Sequence, residues 1–376
     1  MKRAFLAFYL LLSLSTFTYA QDDADPWIVH TAMPSLTIVP DARAGGMGDV
    51  GVATTPDANS QFWNPSKYVF MESEAGASMA FTPWLSQLVN DINLGYVSGY
   101  WKFAEQQALS ASLRYFSLGE ITLTNDAGNE IQNVNPNEFS VDAAYSRLLS
   151  EKLSASVALR FIYSDLNNGV NSAGGTDMYP GIAVASDVSA YYKTPITMET
   201  GDANLAFGFN ASNIGSKMSY DKGTTEYFIP TNLRIGGSFE YPIDEYNKIS
   251  FSADANKLLV PTPSANKDLS TVSSIAGIFQ SFSDAPGGAK EELSEVMWSV
   301  GAEYAYNKQF FVRSGYYHES QTKGNRKYFT AGAGFKLNVF QLDAGYVIST
   351  SQTNPLDKTL RFTLTFDLFG LQNLVK

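Results

Sequence analysis

The chain has 376 residues, with 26 Lys and Arg against 37 Asp and Glu, and a formal net charge of −11. A protein of this sign repels nucleic acid, and the sequence has no basic cluster to offset the repulsion, so nucleic acid is excluded as a partner. The chain contains no cysteine. Disulfides, thiolate metal sites, a cysteine nucleophile and a lipid anchor on an N-terminal cysteine are therefore excluded as well.

The first twenty residues have the features of a secretory signal peptide. Lys2 and Arg3 form a basic start, residues 4–14 are apolar, and Thr18-Tyr19-Ala20 resembles a cleavage site. We expect residues 1–20 to be removed; the loss of Lys2 and Arg3 leaves 24 basic residues against 37 acidic ones, a net charge of −13. An N-terminal membrane helix is disfavoured because the apolar run is too short to cross hydrocarbon and acidic residues follow it at once.

From residue 75 onward, apolar and polar residues alternate. The last such segment, TLRFTLTFDLFG (359–370), places Leu360 and Phe362 on one face and Arg361 and Thr363 on the other, because side chains on a strand alternate faces. The segments have about the length that a tilted strand needs to cross a membrane. About fourteen of them are present: 76–86, 92–103, 109–118, 138–148, 153–164, 181–193, 203–212, 231–241, 248–258, 297–307, 309–319, 326–338, 340–350 and 359–370.

The apolar faces could contact a second sheet in a soluble sandwich or lipid around an outer-membrane barrel. The signal peptide, the regular segment length, the amphipathic last strand and the lack of any later stretch of about 18 apolar residues together favour the barrel. Tyrosines such as Tyr191, Tyr192, Tyr316 and Tyr317 lie toward segment ends, as in interfacial girdles. The sequence predicts an all-β fold, a transmembrane antiparallel β-barrel of about 14 strands in the bacterial outer membrane, with lipid around it.

The connections between the segments alternate between short and long. Residues 104–107 and 150–152 form tight connections, which we place on the periplasmic side. The long connections 121–137, 165–180 and 259–296 are then extracellular.

The longest connection has an apolar centre. Ile275, Ile278, Phe279 and Phe282 make it too hydrophobic for a freely solvated loop. Two interpretations stay open: the centre folds back into the barrel mouth, or it docks a partner, since loops of this length are usually functional or self-packed.

The segment before the barrel contains a motif with a second possible meaning. Residues 46–51, GMGDVG, match the dinucleotide fingerprint G-x-G-x-x-G, which requires a following helix inside a βαβ unit. Here Thr54, Thr55 and Pro56 follow almost at once, so we predict no cofactor. We expect instead that the small residues let this segment pack closely inside a crowded lumen.

Catalytic and metal chemistry has few candidate residues. His30 and His318 are the only histidines, and two histidines without cysteine do not favour a zinc site. The pattern S-x-x-K occurs twice, at Ser264–Lys267 and Ser320–Lys323, in segments expected to be loops. We predict no catalytic residue, no cofactor, no metal and no enzyme activity; an outer-membrane esterase or deacylase using His318 is a third and lesser alternative.

The N-terminal segment resembles that of FadL-like barrels. Arg43, Gly46, Met47 and Gly48 form its R-x-x-x-M-G block, and Asn64-Pro65-Ser66 forms its N-P-A/S block. Longer stretches, including TAMPSLTIVPDARAGGMGDVGVATTPDANSQFWNPSKYVF and IAGIFQSFSDAPGG, are similar to the PorV family of the type IX secretion system. The resemblance implies that residues 21–74 form an N-terminal segment and plug inside a fourteen-strand barrel formed by residues 75–376.

The PorV resemblance also implies a function. Proteins of that family look like non-enzymatic carriers that associate with the translocon barrel, receive cargo with a C-terminal signal domain and deliver it to a sortase-containing attachment complex. The long extracellular loops would form the binding surface. The main alternative is a FadL-like channel for hydrophobic small molecules, which the same plug and barrel would support.

Overall fold

The structure, a computed structural model, describes residues 28–85, 89, 91–124, 128–166, 178–198, 201–263, 268–350 and 356–370. The expected signal peptide, most of the predicted connection 165–180 and the pair Ser264–Lys267 lie outside these residues. Among the described residues, no helix is both long enough and apolar enough to cross a membrane.

Fourteen antiparallel strands form one closed barrel, which confirms the predicted fold. Each barrel strand corresponds to one of the fourteen predicted segments. They are β1 (Ala75–Pro83), β2 (Ile92–Ala104), β3 (Gln107–Leu118), β6 (Asn137–Ser150), β7 (Leu153–Asp165), β8 (Gly181–Met198), β9 (Gly201–Gly215), β10 (Asn232–Pro242), β11 (Asn247–Leu258), β12 (Met297–Tyr306), β13 (Phe310–His318), β14 (Lys327–Leu337), β15 (Phe340–Ser349) and β16 (Leu360–Asp367). The predicted connection 121–137 contains a separate hairpin, β4 (Ile121–Thr124) and β5 (Glu130–Val134).

The barrel closes where its first strand meets its last. β1 pairs with β16 in a register that runs from Gly76 opposite Asp367 to Phe81 opposite Phe362. In β16 the apolar side chains point outward, with Phe362 43% exposed, whereas Arg361 is 2% exposed and points into the lumen. An apolar outside and a charged inside are the reverse of a soluble sandwich, and they are typical of a membrane barrel.

The two ends of the barrel differ in their connections. At one end, here called the turn side, strands are joined by tight turns such as the one between Ala104 and Gln107. At the other end, the loop side, the connections are long. The longest joins β11 to β12 and contains two helices, Ser274–Gln280 and Ala289–Ser294. This alternation follows the pattern of bacterial outer-membrane barrels, in which the long loops are extracellular.

The N-terminal segment lies inside the barrel. We call residues 32–74 the plug; its short helical elements are Pro34–Thr37, Ala42–Gly45, Ser60–Trp63 and Pro65–Phe70. At the loop side, the Ala32 amide donates to the Phe228 carbonyl (2.8 Å). At the turn side, Lys102 Nζ donates to the Met71 carbonyl (2.7 Å). The plug therefore runs the length of the lumen before β1 begins.

Candidate functional site

Arg43 joins the plug to the barrel wall through buried ion pairs. Its Nη2 lies 3.0 Å from Oε1 of Glu303, and its Nη1 lies 2.8 Å from Oδ2 of Asp57. Glu303 also pairs with Arg313 at 2.6 Å, and Arg313 pairs with Asp343 at 2.6 Å. Positive and negative groups thus alternate from the plug across β12, β13 and β15, and each buried charge has a partner of opposite sign. In this structure Arg43 anchors the plug.

Gly46 and Gly48 let the plug backbone touch the wall backbone. A Cβ placed on Gly46 would lie 2.9 Å from the Cα of Gly332. Gly48 has a φ of +72°, which favours glycine, and a Cβ there would lie 2.5 Å from the amide nitrogen of Tyr316. Met47, between them, is buried. At these two glycines the plug backbone lies directly against the wall backbone, with no side chain between them.

The backbone amides of the G-x-G-x-x-G motif are bound by the barrel wall. The Gly48 amide donates to Thr330 Oγ1 (2.7 Å), and the Gly51 amide donates to Asp254 Oδ2 (2.8 Å). The short helix of this region lies before the motif instead of after it. The arrangement therefore differs from a dinucleotide site, in which free amides at a helix N-terminus meet the pyrophosphate.

Asn64 and Pro65 form the second anchor of the plug. The Asn64 side-chain amide donates to the carbonyl of Val52 in the plug (3.0 Å) and to the carbonyl of Ala190 on β8 (2.9 Å). It therefore joins the plug to the barrel wall. Its Oδ1 accepts a hydrogen bond from the Ser66 amide (3.2 Å) and so caps the helix Pro65–Phe70. Proline suits the first position of this helix, because an amide there would have no partner within the helix.

A cavity of about 580 Å³ opens at the loop-side end of the lumen. Its lining is mostly apolar and includes Met33, Phe116, Leu118, Met178, Tyr220 and Tyr227. The buried carboxylate of Glu138 also faces it and accepts hydrogen bonds from the hydroxyls of Ser35 and Ser164. This chemistry suits an apolar group that is neutral or cationic, because an anion beside Glu138 would be repelled.

Below this cavity the plug fills the middle of the lumen. The two spaces next to its aromatic residues, Phe62 and Trp63, measure about 20 and 80 Å³. Each described barrel strand pairs with two neighbours around the ring. A further space of about 350 Å³ lies at the turn-side end, between plug residues such as Asp57 and Met71 and wall residues such as Lys248 and Lys336. The described part of the chain therefore forms a barrel with an open mouth, a filled middle and a cavity at the turn side.

The long connection between β11 and β12 exposes an apolar helix. The helix Ser274–Gln280 begins after Ser273, whose hydroxyl accepts from the Ala276 amide. On it, Ile275 is 57% exposed and Phe279 72% exposed, and Ile278 is half-buried. Phe282, just beyond, is also exposed. We call Ile275, Ile278, Phe279 and Phe282 the apolar loop surface. It does not fold into the barrel mouth, and its role in docking stays a prediction.

A cluster of ion pairs holds the base of this connection. Lys257 at the end of β11 lies 2.5 Å from Glu295, and Lys323 of the β13–β14 connection lies 3.1 Å from Glu295 and 2.5 Å from Glu291. Burial by itself would raise the pKa of Glu295, but its hydrogen bonds with Lys257, Thr262 and Lys323 outweigh burial and lower that pKa. The apolar loop surface is thus presented by a loop that is fixed at its base.

The residues considered for catalysis do not come together. His318 Nδ1 lies 3.4 Å from the Tyr316 hydroxyl. Lys323, in the second S-x-x-K pattern, is bound by Glu291 and Glu295. Within the described ranges, no group of three His, Asp or Glu is arranged to hold a metal ion.

Sequence reasoning missed the wall residues that receive the plug. Their signal was present, since Glu303, Arg313 and Asp343 are charged residues inside predicted membrane strands, and such residues must face the lumen. The wall glycines Gly315 and Gly332 carried a weaker signal, because glycine inside a strand often marks a close backbone approach.

These features define a class: a fourteen-stranded outer-membrane barrel whose lumen holds its own N-terminal segment. Similar solved structures include the Pseudomonas putida toluene transporter TodX (10% identity, covering 86% of this chain and 96% of that chain, TM-score 0.51). They also include the CymD monoaromatic hydrocarbon channel (13%, 87% and 97%, TM-score 0.50) and a Pseudomonas aeruginosa FadL homologue (10%, 88% and 98%, TM-score 0.43). At these identities the likeness shows the fold alone. No curated protein matches the chain.

The family is shown by the sequence. Residues 21–265 match the family described as "Type IX secretion system protein PorV", so the chain belongs to the PorV family. It is an outer-membrane protein of the type IX secretion system, and the family is not enzymatic. The match includes the plug and strands β1–β11, and it ends before the apolar loop surface.

Proposed function

We propose that this protein is a carrier in type IX secretion, which receives cargo with a C-terminal signal domain from the translocon barrel and delivers it to the sortase-containing attachment complex. The observation that carries the proposal is the apolar loop surface, held on the loop side of a barrel whose lumen is blocked at its middle by the plug. A barrel of this kind offers partners its loop-side surface in place of a pore.

The exposure of Phe279 and Phe282 supports a docking role. Aromatic side chains dominate the binding energy of protein interfaces when they enter a partner's pocket, and a pre-ordered loop loses little entropy on binding. The ion pairs of Glu295 supply that order, since they join the loop to β11 and to the β13–β14 connection.

The mouth cavity supports the same function. It lies at the same end of the barrel as the apolar loop surface, and its lining suits an apolar segment of a polypeptide. The Glu138 carboxylate favours a cationic or hydrogen-bond-donating group beside that segment. We propose that cargo engages both features.

Deletion of the gene tests the carrier role. Proteins with the C-terminal signal domain should then accumulate in the periplasm and be lost from the cell surface. A detergent pull-down of the intact protein should contain the translocon barrel and signal-bearing cargo. Normal surface display in the deletion strain would overturn the proposal.

The mouth cavity also supports a second candidate function, that of a channel for hydrophobic small molecules. TodX is a toluene transporter, and CymD is a monoaromatic hydrocarbon channel. A channel requires a path past the plug, and the filled middle of the lumen, where the spaces measure about 20 and 80 Å³, counts against one. Uptake of radiolabelled toluene by cells with and without the gene separates the two functions, because only a channel makes uptake depend on the gene.

A further inference from the structure

A groove crosses the outer wall of the barrel beside its closing seam. It has a volume of about 420 Å³ and lies on the outward faces of β15, β16, β1, β2 and β3. The side chains around it are apolar and exposed, and they include Met79, Phe81, Val97, Leu113, Phe362 and Leu364. Since this wall is embedded in the outer membrane, the groove opens to lipid.

The groove exists because one residue in a row of large side chains is glycine. Across the wall, Phe362 stands opposite Phe81, Phe81 opposite Gly95, and Gly95 opposite Tyr115. Neighbouring strands lie about 4.8 Å apart, so Phe81 and Tyr115 stand about 10 Å apart with no side chain between them. Val97, two residues further along β2, closes the deeper end of this gap.

The space at Gly95 is open. A Cβ placed on this glycine would meet only the Tyr115 carbonyl oxygen, at 3.9 Å. A second outward glycine on the same strand, Gly99, stands between Ala77 and Ala111. That row has no large side chains on either side, and Gly99 does not line the groove. The groove therefore depends on Gly95 between aromatic residues.

We propose that this groove is a binding site for one acyl chain of a membrane lipid. Its lining offers almost no polar group, so the part of the lipid that enters is the hydrocarbon chain. The strands here are hydrogen-bonded to neighbours on both sides, which leaves no edge for a partner strand to pair with.

The groove's position in the wall identifies the leaflet. Gly95 is the fourth residue of β2 counted from the loop side, so the groove begins near the loop-side interface and runs inward. Tyr115 stands at this outer end, where aromatic residues of a membrane protein meet the head groups. The lipid therefore belongs to the leaflet on the loop side, with its head group near the ends of β2 and β3.

The binding energy comes from packing. Within a bilayer, lipid tails are as apolar as leucine, so apolar surfaces are not driven together by exclusion of water. A chain that fits between Phe81 and Tyr115 gains dispersion contacts that a disordered neighbour cannot make. The bound chain crosses the junction of β1 and β16 and so packs against the seam of the barrel. This inference does not depend on the carrier role.

The test compares two glycine substitutions. The full mature protein and its Gly95→Leu and Gly99→Leu variants are placed in nanodiscs of palmitoyl-oleoyl phosphatidylethanolamine, released into detergent and weighed by native mass spectrometry. Wild type and Gly99→Leu should each retain one lipid, and the fraction of Gly95→Leu with a retained lipid should fall about tenfold. Heat-modifiable gel migration shows whether each variant is folded; if Gly95→Leu is not, Gly95→Val replaces it.

Equal retention by all three proteins would overturn the site, and so would an equal loss in both variants. A second measurement identifies the occupant in cells. A benzophenone amino acid in place of Val97 should cross-link to lipid under ultraviolet light, and less so when Gly95 is also replaced by leucine. Cross-linking to a protein instead would reject lipid as the occupant.

Discussion

The plug buries charged side chains, whereas the long β11–β12 connection exposes apolar ones. In the plug, charged groups such as Arg43 and Lys67 are buried, and each has defined partners. In the connection, apolar groups such as Phe279 and Leu293 are more than two-thirds exposed. Both regions are irregular chain attached to the same barrel.

This difference separates residues that stabilise the fold from residues that are exposed for binding a partner. Buried charges are tolerated only when they are paired, so the plug has one arrangement that satisfies all of them. Exposed aromatic residues add little to the stability of the free protein and are typical of interaction sites. Substitutions in the plug should therefore reduce stability, and substitutions on the apolar loop surface should reduce function alone.

Removal of the wall carboxylate that Arg43 and Arg313 share should have the largest effect on stability. Glu303→Ala leaves Arg43 without its wall partner and removes one of the two partners of Arg313. We expect a loss of about 3–5 kcal/mol in the free energy of unfolding, as for other broken buried pairs. Urea unfolding in micelles, followed by heat-modifiable migration, measures it. Glu240→Ala breaks the partly exposed pair with Lys248 and should cost about 1 kcal/mol or less; a similar loss in both variants would contradict the comparison.

Crowding at the plug backbone should give the next largest effect. Gly48→Ala places a Cβ 2.5 Å from the Tyr316 amide nitrogen, whereas Gly223→Ala, also at positive φ (+93°), meets nothing within 4 Å. In both variants the alanine is strained in the left-handed region, which lowers the free energy of unfolding by about 1 kcal/mol. Only Gly48→Ala adds overpacking, so it should lose about 1–3 kcal/mol more in the same unfolding assay. Equal losses would show that the plug adjusts to the extra atom.

Acid should loosen the base of the long connection. The lowered pKa of Glu295 stabilises the folded loop fully above the ordinary glutamate pKa of about 4.3, and that stabilisation is lost as the pH falls through the lowered value. Amide hydrogen exchange in residues 289–296, corrected for intrinsic rates, should therefore rise below about pH 4. In Glu295→Gln the exchange should be faster at neutral pH and change less with acid. An unchanged acid response in that variant would assign the effect to other groups.

The apolar loop surface should have the smallest effect on stability. Phe279→Asp should change the free energy of unfolding by about 0.5 kcal/mol or less, because the side chain is largely exposed. Surface display of cargo should nevertheless fall sharply. Ile243→Asp changes an equally apolar, exposed residue at the turn side and should leave display normal. Normal display with Phe279→Asp would remove the apolar loop surface from the proposed function.

The strands could be predicted because their signal is local. In β16, the alternation of Leu360, Arg361, Phe362 and Thr363 is visible in the sequence, and the structure places these residues on alternate faces. The same period of two holds around the barrel, so all fourteen barrel strands were found. Their lipid-facing side followed from the combination of length and signal peptide.

The contacts of the plug could not be predicted, because they depend on the register of the whole ring. Arg43 and Glu303 are 260 positions apart, and which strand faces the plug is decided only when the barrel closes. The helix of the long connection is a different case. Its apolar residues at 275, 278, 279 and 282 follow the spacing of one helix face, and Ser273 precedes them as an N-cap. The spacing and the N-cap together are a local signal for this helix.

The pairing of β1 with β16 determines how the plug is held. β16 is the last barrel strand in chain order and β1 follows directly on the plug, so their pairing closes the ring around the segment that precedes it. The same closure places Arg361 of β16 beside Asp49 of the plug, at 2.5 Å. Sideways release of the plug from the closed ring would require a full row of strand hydrogen bonds to break. The intact ring leaves the plug only an axial route, along which its contacts with the wall must break first.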